Sequence, residues 1–343
     1  MKKVKVYFNR WFSVAYHYMN AIRNNEDGIP FEIYATHSDP QHMALQASDV
    51  AEVEPRTSGV EYARFCADFC RRHGIDVFIP RWNMLAISKH LYLFDDIGTK
   101  VMVCQDTELL EQLMEKDLFY ESIRQKDIVT IPDYAIASNA EQFKQAYESL
   151  IALGHKVCFK PCNAEGGMGF RIIDNERNPL EELFGHALNH ISFEEAHRVL
   201  SSTESFPNLM VMELLEGYEY SIDCLADRNG KLLAAVPRRK AGGRLRLLEQ
   251  HPELLKVAQK VAEAYHIPYN YNIQVKYNGE HAKLLEINPR MSGGLHVSCL
   301  SGINFPYLAV KSALGHEIGS LHPQYDILAS HIEQPITIRK SVH

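Results

Sequence analysis

The chain has 343 residues, 46% hydrophobic and 23% charged, with a net charge of -7 when histidine is neutral. That length exceeds one small core and predicts two or three packed units. The mild acidity excludes a general nucleic-acid binder, which needs clustered basic surface. Seven cysteines occur without a CxxC pair and read as reduced thiols of a cytosolic protein. The start MKKVKVYF has no apolar h-region, so no signal peptide is expected. No run reaches the roughly 18 apolar residues of a membrane span. A cytoplasmic location follows as the expectation, with no nucleic-acid or membrane partner.

In chain order, Lys3 to Phe8 reads as a strand, Phe12 to Arg23 as a helix and Phe31 to Thr36 as a second strand. Tyr62 to His73 is an amphipathic helix closed by Gly74, with Cys66 and Cys70 on its buried face. Asp76 to Pro80 is a strand, Met84 to Asp96 a helix and Lys100 to Cys104 a strand. Strands alternating with helices predict a parallel α/β layer over 1–105. Asp106 is the expected N-cap of a long helix through Leu118. Tyr134 to Ala137 is a short strand, and Ser138 is the expected cap of a helix running to Gly154. Lys156 to Pro161 and Phe170 to Asp174 are strands around a glycine-rich loop, and 175–205 looks helical and polar.

From Leu209 the texture changes to strands at Leu209 to Leu215, Glu219 to Ala226 and Lys231 to Pro237. An amphipathic helix covers Pro252 to His266. Asn272 to Tyr277 and Ala282 to Ile287 form a hairpin turning at Asn278-Gly279. Phe305 to Leu314 is a helix ended by Gly315, and two short strand-like runs follow Tyr325. The expected units are 1–105, 106–208 and 209–335, with a tail at 336–343.

Four clusters carry candidate chemistry. In Lys160-Pro161-Cys162-Asn163-Ala164-Glu165-Gly166-Gly167-Met168-Gly169, a strand delivers a lysine into a flexible loop. Glycines let backbone N–H groups wrap phosphate oxygens, and the lysine adds a point charge. No GK[ST] follows, so this is not a Walker loop; a plain glycine hairpin would look similar. Glu213-Leu214-Leu215-Glu216-Gly217, followed by Glu219, could offer backbone groups to an adenine edge and a carboxylate to a ribose. An ordinary turn with solvated acids fits as well. Glu286 and Asn288, in Leu285-Glu286-Ile287-Asn288-Pro289-Arg290, lie two apart and so face one side of a strand. Gln274 could join them from the paired strand. Such oxygen donors suit Mg²⁺, and Arg290 could neutralise a transferring phosphoryl group; the alternative is a buried polar cluster. Arg238, Arg239, Lys240, Arg244 and Arg246 place five positive charges within nine residues around Gly242-Gly243, either a solvated turn or an anion-holding loop.

Taken in order, these residues resemble the ATP-grasp superfamily from about Asp106 to about Gly315. The nearest likeness is to the synthetase domains of carbamoyl-phosphate synthetase and related carboxylate–amine ligases. The layer before Asp106 is similar to a pre-ATP-grasp domain, and the implied fold is α/β followed by a two-lobed α+β ATP-grasp. The N-terminal layer and the length also look similar to a branch found beside bacterial tellurite-resistance and stress genes. The resemblance implies that Lys116 and Lys160 are nucleotide lysines and that Gly166, Gly167 and Gly169 form the phosphate loop. Lys116 stands in a Lys-Asp order where the family usually has Asp-Lys. Glu213 and Leu215 would contact adenine through backbone and side chain, and Glu219 the ribose. Gln274, Glu286 and Asn288 would hold Mg²⁺ or Mn²⁺, with Gln274 standing where an acid often stands. Arg290 would stabilise the phosphoryl group, and Arg238 would act from an active-site loop.

The implied activity joins a small carboxylic acid to an amine or other nucleophile with ATP. A kinase and a non-catalytic ATP sensor are the alternatives, and the resemblance leaves room for a homodimer. An NAD(P) site is disfavoured because Asn9 to Ser13, after the first strand, has no glycine fingerprint.

Overall fold

The computed structural model describes residues 2–126, 128–163, 167–184, 189–333 and 335–338. Among these the chain falls into two compact units that do not follow chain order. Unit 1 comprises 1–111, 219–274 and 287–343, and unit 2 comprises 112–218 and 275–286.

Unit 1 begins with strands β1 (Val4–Asn9), β2 (Phe31–His37), β3 (Val50–Val53), β4 (Val77–Ile79) and β5 (Lys100–Val101). They form a parallel sheet in the order β3-β2-β1-β4-β5. The order reverses at β1, so the carboxyl ends of β1 and β4 border a crevice where ligands bind in such sheets. The helix Gly59–His73 buries Tyr62, Cys66, Phe69 and Cys70 on one face, ends in basic residues and stops at Gly74 with φ 61. Basic residues there complement the helix dipole, and glycine takes the left-handed cap without strain. The expected helix from Met84 to Asp96 divides into Met84–Lys89 and Tyr92–Asp95. The His90 ring nitrogen lies 2.7 Å from the Ala86 carbonyl, a side-chain bond that competes with the helical ladder. The strand β3 and the 3₁₀ turn Met43–Ala47 were too short to leave a periodic signal.

Below Gly217 the chain forms β11 (Glu219–Ala226), β12 (Leu232–Lys240), β13 (Arg246–Leu248), β14 (Asn270–Asn278), β15 (His281–Asn288) and β16 (Ile327–Ala329), in the order β15-β14-β11-β12-β13-β16. Strands β6 to β10 are taken with unit 2 below. The Asn278-Gly279 turn is as expected, with Gly279 at φ 58. One buried cluster in unit 1 joins Val6, Phe8 and Ile33 of the parallel sheet to Leu225, Val236, Phe305 and Leu308. Each such side chain contributes about 1.5–3 kcal/mol. An exposed pair such as Arg71–Asp68 contributes about 0–1 kcal/mol. Apolar packing therefore decides the stability of this unit.

Unit 2 holds β6 (Tyr134–Ala137), β7 (Val157–Pro161), β8 (Arg171–Ile173), β9 (His190–Ile191) and β10 (Leu209–Glu213), in the order β6-β10-β7-β8-β9. The helix Ala140–Ala152 lays Phe143, Ala146 and Leu150 against Val157, Phe159 and Val211. Its cap is Asn139, which accepts from Gln142 N at 2.9 Å, one residue later than expected. Gln142 Oε1 in turn accepts from Ser138 N and Oγ, tying the residue before the cap to the first turn. Asp106 does cap its helix, accepting from Leu109 N at 2.9 Å. That helix is two, however: Thr107–Met114 and Lys116–Lys126.

Candidate active site

In unit 2, β7 runs antiparallel to β10 with Lys160 opposite Met210. Val157, Cys158 and Phe159 are buried, and the strand carries Lys160 to its far end. Burial lowers the pKa of the Lys160 ammonium; the Glu286 carboxylate opposes that shift and the like charge of Lys116 adds to it. Lys116 opens the helix Lys116–Lys126 and donates from Nζ to the Cys162 carbonyl at 3.0 Å. Two ammonium groups and one carboxylate thus share a small region, and burial strengthens every charge interaction there.

Tyr120, one turn beyond Lys116, is fully buried, and its hydroxyl meets no hydrogen-bond partner among the described residues. Burial, then Glu286, pushes its pKa well above the ordinary value. Sequence reasoning missed Tyr120, although its i+4 spacing from Lys116 puts both on one helix face.

The phosphate-loop expectation is placed in part. Gly167 and Gly169 have φ of 78° and 73°, and a Cβ on Gly169 would stand 2.8 Å from Pro161 Cδ. Only glycine fits that turn. Gly166 lies outside the described residues.

Glu213 is 1% exposed. Its carboxylate accepts from Asp133 N at 2.9 Å and from Asn278 Nδ2 at 3.0 Å, and pairs with Lys283. His155 Nδ1 lies 3.6 Å away. The side chain is therefore committed to holding β10, β6 and the hairpin turn together; its own N–H donates to the Asp133 carbonyl at 3.0 Å and its carbonyl accepts from the Cys158 thiol at 3.6 Å. Leu215, also buried, follows at the strand's exit.

In unit 1, Glu219 starts β11 and forms an ion pair with Lys240. Gln274 is half-buried on β14, and Asn288 ends β15. Arg290 Nη2 donates to Asn288 Oδ1 at 3.2 Å and Nη1 to the Met291 carbonyl at 3.2 Å. Its guanidinium lies 5.3 Å from the Phe12 ring centroid, and that of Arg81 lies 4.3 Å from the same ring. Glu286, two residues before Asn288, belongs to the stretch counted with unit 2.

Arg238 sits on β12 and not in a loop, and it is buried. Its Nε and Nη2 donate to Asp223 Oδ2 at 3.2 and 3.1 Å. Asp223, itself fully buried, also accepts from Ser292 and Ser298 at 2.6 Å each and from Asn272 at 2.9 Å. A Cβ on Gly294 would come within 2.4 Å of the guanidinium, so Gly294 is the space that Arg238 occupies. The expected basic loop is a hairpin, Arg238 facing Leu248 and Lys240 facing Arg246. Arg239 pairs with Glu249 and Arg244 with Glu333. Sequence reasoning missed Asp223; it stands mid-strand in an apolar run, which was the available signal.

No helix of the described residues is long and apolar enough to cross a membrane.

Residues 205–335 match the family model described as "ATP-grasp in the biosynthetic pathway with Ter operon". The carbamoyl phosphate synthase large chain of Clostridium acetobutylicum is 21% identical over 62% of this chain and 20% of its own length. That of Agathobacter rectalis is 24% identical over 65% of this chain, again 20% of its own length. The chain thus spans about a fifth of the curated relatives it matches. Among solved structures, an ADP complex of N5-carboxyaminoimidazole ribonucleotide synthetase aligns with a TM-score of 0.67 at 11% identity, covering 94% of this chain and 81% of that one. The fold is that of these proteins.

Proposed function

We propose that this chain is a member of the ATP-grasp superfamily and, within it, an ATP-dependent ligase joining a small carboxylic acid to an amine or other nucleophile. The observation that carries the reading is the convergence of two half-buried lysines in unit 2, Lys116 on the Cys162 carbonyl two residues beyond Lys160. Lys116 depresses the charge of Lys160 while Glu286 supports it. Like charges held together in a low-dielectric place are relieved by a bound polyanion, and a perturbed cation of this kind is a functional-site candidate.

In this reading Lys116, Lys160 and the turn of Gly166, Gly167 and Gly169 hold the phosphates of ATP. The strand exit from Glu213 to Leu215 meets the adenine. Glu219 meets the ribose in competition with Lys240. Gln274, Glu286 and Asn288 hold Mg²⁺ or Mn²⁺: amide and carboxylate oxygens two apart on one strand fit a hard divalent ion. When bound, that ion would neutralise phosphate charge.

A carboxylate oxygen of the acid attacks the γ-phosphorus, breaking its bond to the β–γ bridging oxygen and releasing ADP. The amine nitrogen then attacks the acyl carbon, expels phosphate and loses a proton. Positioning and charge neutralisation supply most of such catalysis. Arg290 steadies the transferring phosphoryl group. Arg238, fixed by Asp223, holds the wall behind it through Ser292 and Gly294. Substrates are small molecules, and the homodimer carries over from the resemblance.

The test is ADP release across amino acids and small carboxylates, with and without amines. Glu286→Gln combined with Asn288→Ala should abolish release and leave the fold intact; wild-type ADP formation by the double variant would defeat the metal assignment. Trapping with hydroxylamine should give an acyl hydroxamate, whereas a stable phosphoester would make the protein a kinase.

A further inference from the structure

Two histidine rings close the loop that follows β2. His37 ends that strand, and His42 stands immediately before the 3₁₀ turn Met43–Ala47. The rings stack with their centroids 3.7 Å apart and their planes 9° from parallel. Each ring also accepts a backbone hydrogen bond at Nδ1. His37 accepts from Asp39 N at 3.0 Å, and His42 accepts from Ala44 N at 3.2 Å. The second of these bonds caps the 3₁₀ turn.

A ring nitrogen that accepts a hydrogen bond carries no proton, so both imidazoles are neutral and hold their proton on Nε2. An imidazolium donates from both nitrogens and accepts at neither. Protonating either ring therefore breaks its bond to the backbone and puts a charge into the stack. Burial is the first obstacle to that charge on both rings. Next, His37 faces His42 and the Arg10 guanidinium at the end of β1, which is paired with Glu54 just after β3. Asp39, in the loop, draws both rings toward the charged form. The balance pushes His37 down to about 4 and moves His42 in the same direction.

Beyond the cap, Ala44, Leu45 and Ala47 are buried in one apolar cluster with Ala15, Met19 and Ile22 of the helix Ala15–Arg23. The turn is thus a cover over one face of that helix. We propose that the His37–His42 stack is a proton-sensitive latch: protonation of either ring releases residues 38–48 and uncovers the apolar face of the helix, while the rest of the parallel sheet stays folded. An apolar face opened in this way is a surface for association. The latch does not depend on the ligase reading.

The direction and size of the effect follow from proton linkage. In the open loop the rings titrate near the ordinary histidine value of about 6.5, and in the closed loop they titrate lower. Between those values the open form binds more protons, so opening gains about tenfold per pH unit for one ring and up to about a hundredfold for two. Above about 6.5 the latch stays shut.

Hydrogen exchange of the full chain, read by mass spectrometry, tests this. Corrected for the intrinsic pH dependence of exchange, protection of the peptide covering 38–48 should fall about tenfold or more between pH 6.5 and 5. Peptides from β1 and β4 should keep theirs. His37→Asn combined with His42→Asn keeps an acceptor near each Nδ1 position and removes the titration, so its protection should stay flat. In the unsubstituted chain, NMR should show the two rings titrating together with the loss of protection at the Asp39 and Ala44 amides, which decides the matter if the double variant folds poorly. Protection of 38–48 that ignores pH would overturn the latch. So would a loss that persists in the asparagine variant, or one that occurs only together with β1 and β4.

Discussion

Unit 1 buries a basic side chain and unit 2 half-buries one, and the two are treated in opposite ways. In unit 1 Arg238 meets its counter-charge within hydrogen-bond distance, and Asp223 in turn takes hydrogen bonds from Ser292, Ser298 and Asn272. In unit 2 Lys160 is half-buried: desolvation makes its charge harder to keep, the Glu286 carboxylate supports it and the like charge of Lys116 opposes it. The first is a finished structural device. Removing one partner of such a pair strands the other charge, which is costly, although the intact pair adds little net stability. The second leaves the charge of Lys160 in balance, and a bound anion would shift that balance toward the charged form. Burial of a cation alone therefore does not mark a binding site; incomplete compensation does.

The largest expected effect attacks the finished pair. Asp223→Ala should cost about 3–5 kcal/mol of stability, because it leaves Arg238 buried without its counter-charge. Denaturant unfolding checks this. The double variant Asp223→Leu with Arg238→Met should lose clearly less, and a double variant as unstable as the single one would mean that Asp223 matters by packing alone.

Next, Lys160→Met should lower ADP release about 100-fold or more, the range for removing one preorganised charge from a transferring group. Its thermal midpoint should hold or rise, since the desolvated ammonium is gone. A variant that loses stability in step with activity would place Lys160 with Arg238 as a structural cation.

A smaller loss is expected from Gly294→Ala. Its new methyl group meets the Arg238 guanidinium, and overpacking of this kind costs about 1–3 kcal/mol. With Arg238→Ala beside it the cost should fall, which a double-mutant cycle measures.

The smallest effect is a pH dependence in unit 1. Burial, then His17, His331 and Arg238, lowers the His296 pKa to about 4, and burial with His42 lowers that of His37 to about 4. Both fall below the unfolded value near 6.5, so between pH 6.5 and 4 the unfolded chain binds more protons. Stability should be intact above 6.5 and decline as pH falls to 4. Melting curves across that window should shift downward, less so for His296→Gln combined with His37→Gln. A flat profile for the parent chain would remove this term.

Much of the frame was legible because its signals are local. Gly74, Gly154 and Gly315 end helices at positive φ, and the hairpin turns at Asn278-Gly279. The two-residue spacing of Glu286 and Asn288 needs only strand geometry to be read. What stayed hidden depends on partners far away in the chain. Asp223 meets Ser298 across 75 positions and Glu213 meets Lys283 across 70. No window of sequence reveals that one acid is a clamp and the other a counter-charge. The run from Arg238 to Lys240 looked like a solvated basic loop for the same reason: Asp223, Glu249 and Glu219 neutralise it from other strands and from the hairpin's far side.

The most direct measurement is an NMR titration of the Lys160 ammonium in chain labelled at lysine Cε, its signal identified by its loss in Lys160→Arg. In the free protein the group should titrate below the usual lysine value of about 10.4, and a non-hydrolysable ATP analogue with Mg²⁺ should move it upward. An ordinary value in the free chain that the analogue leaves unchanged would contradict the reading of this lysine pair as the seat of a polyphosphate.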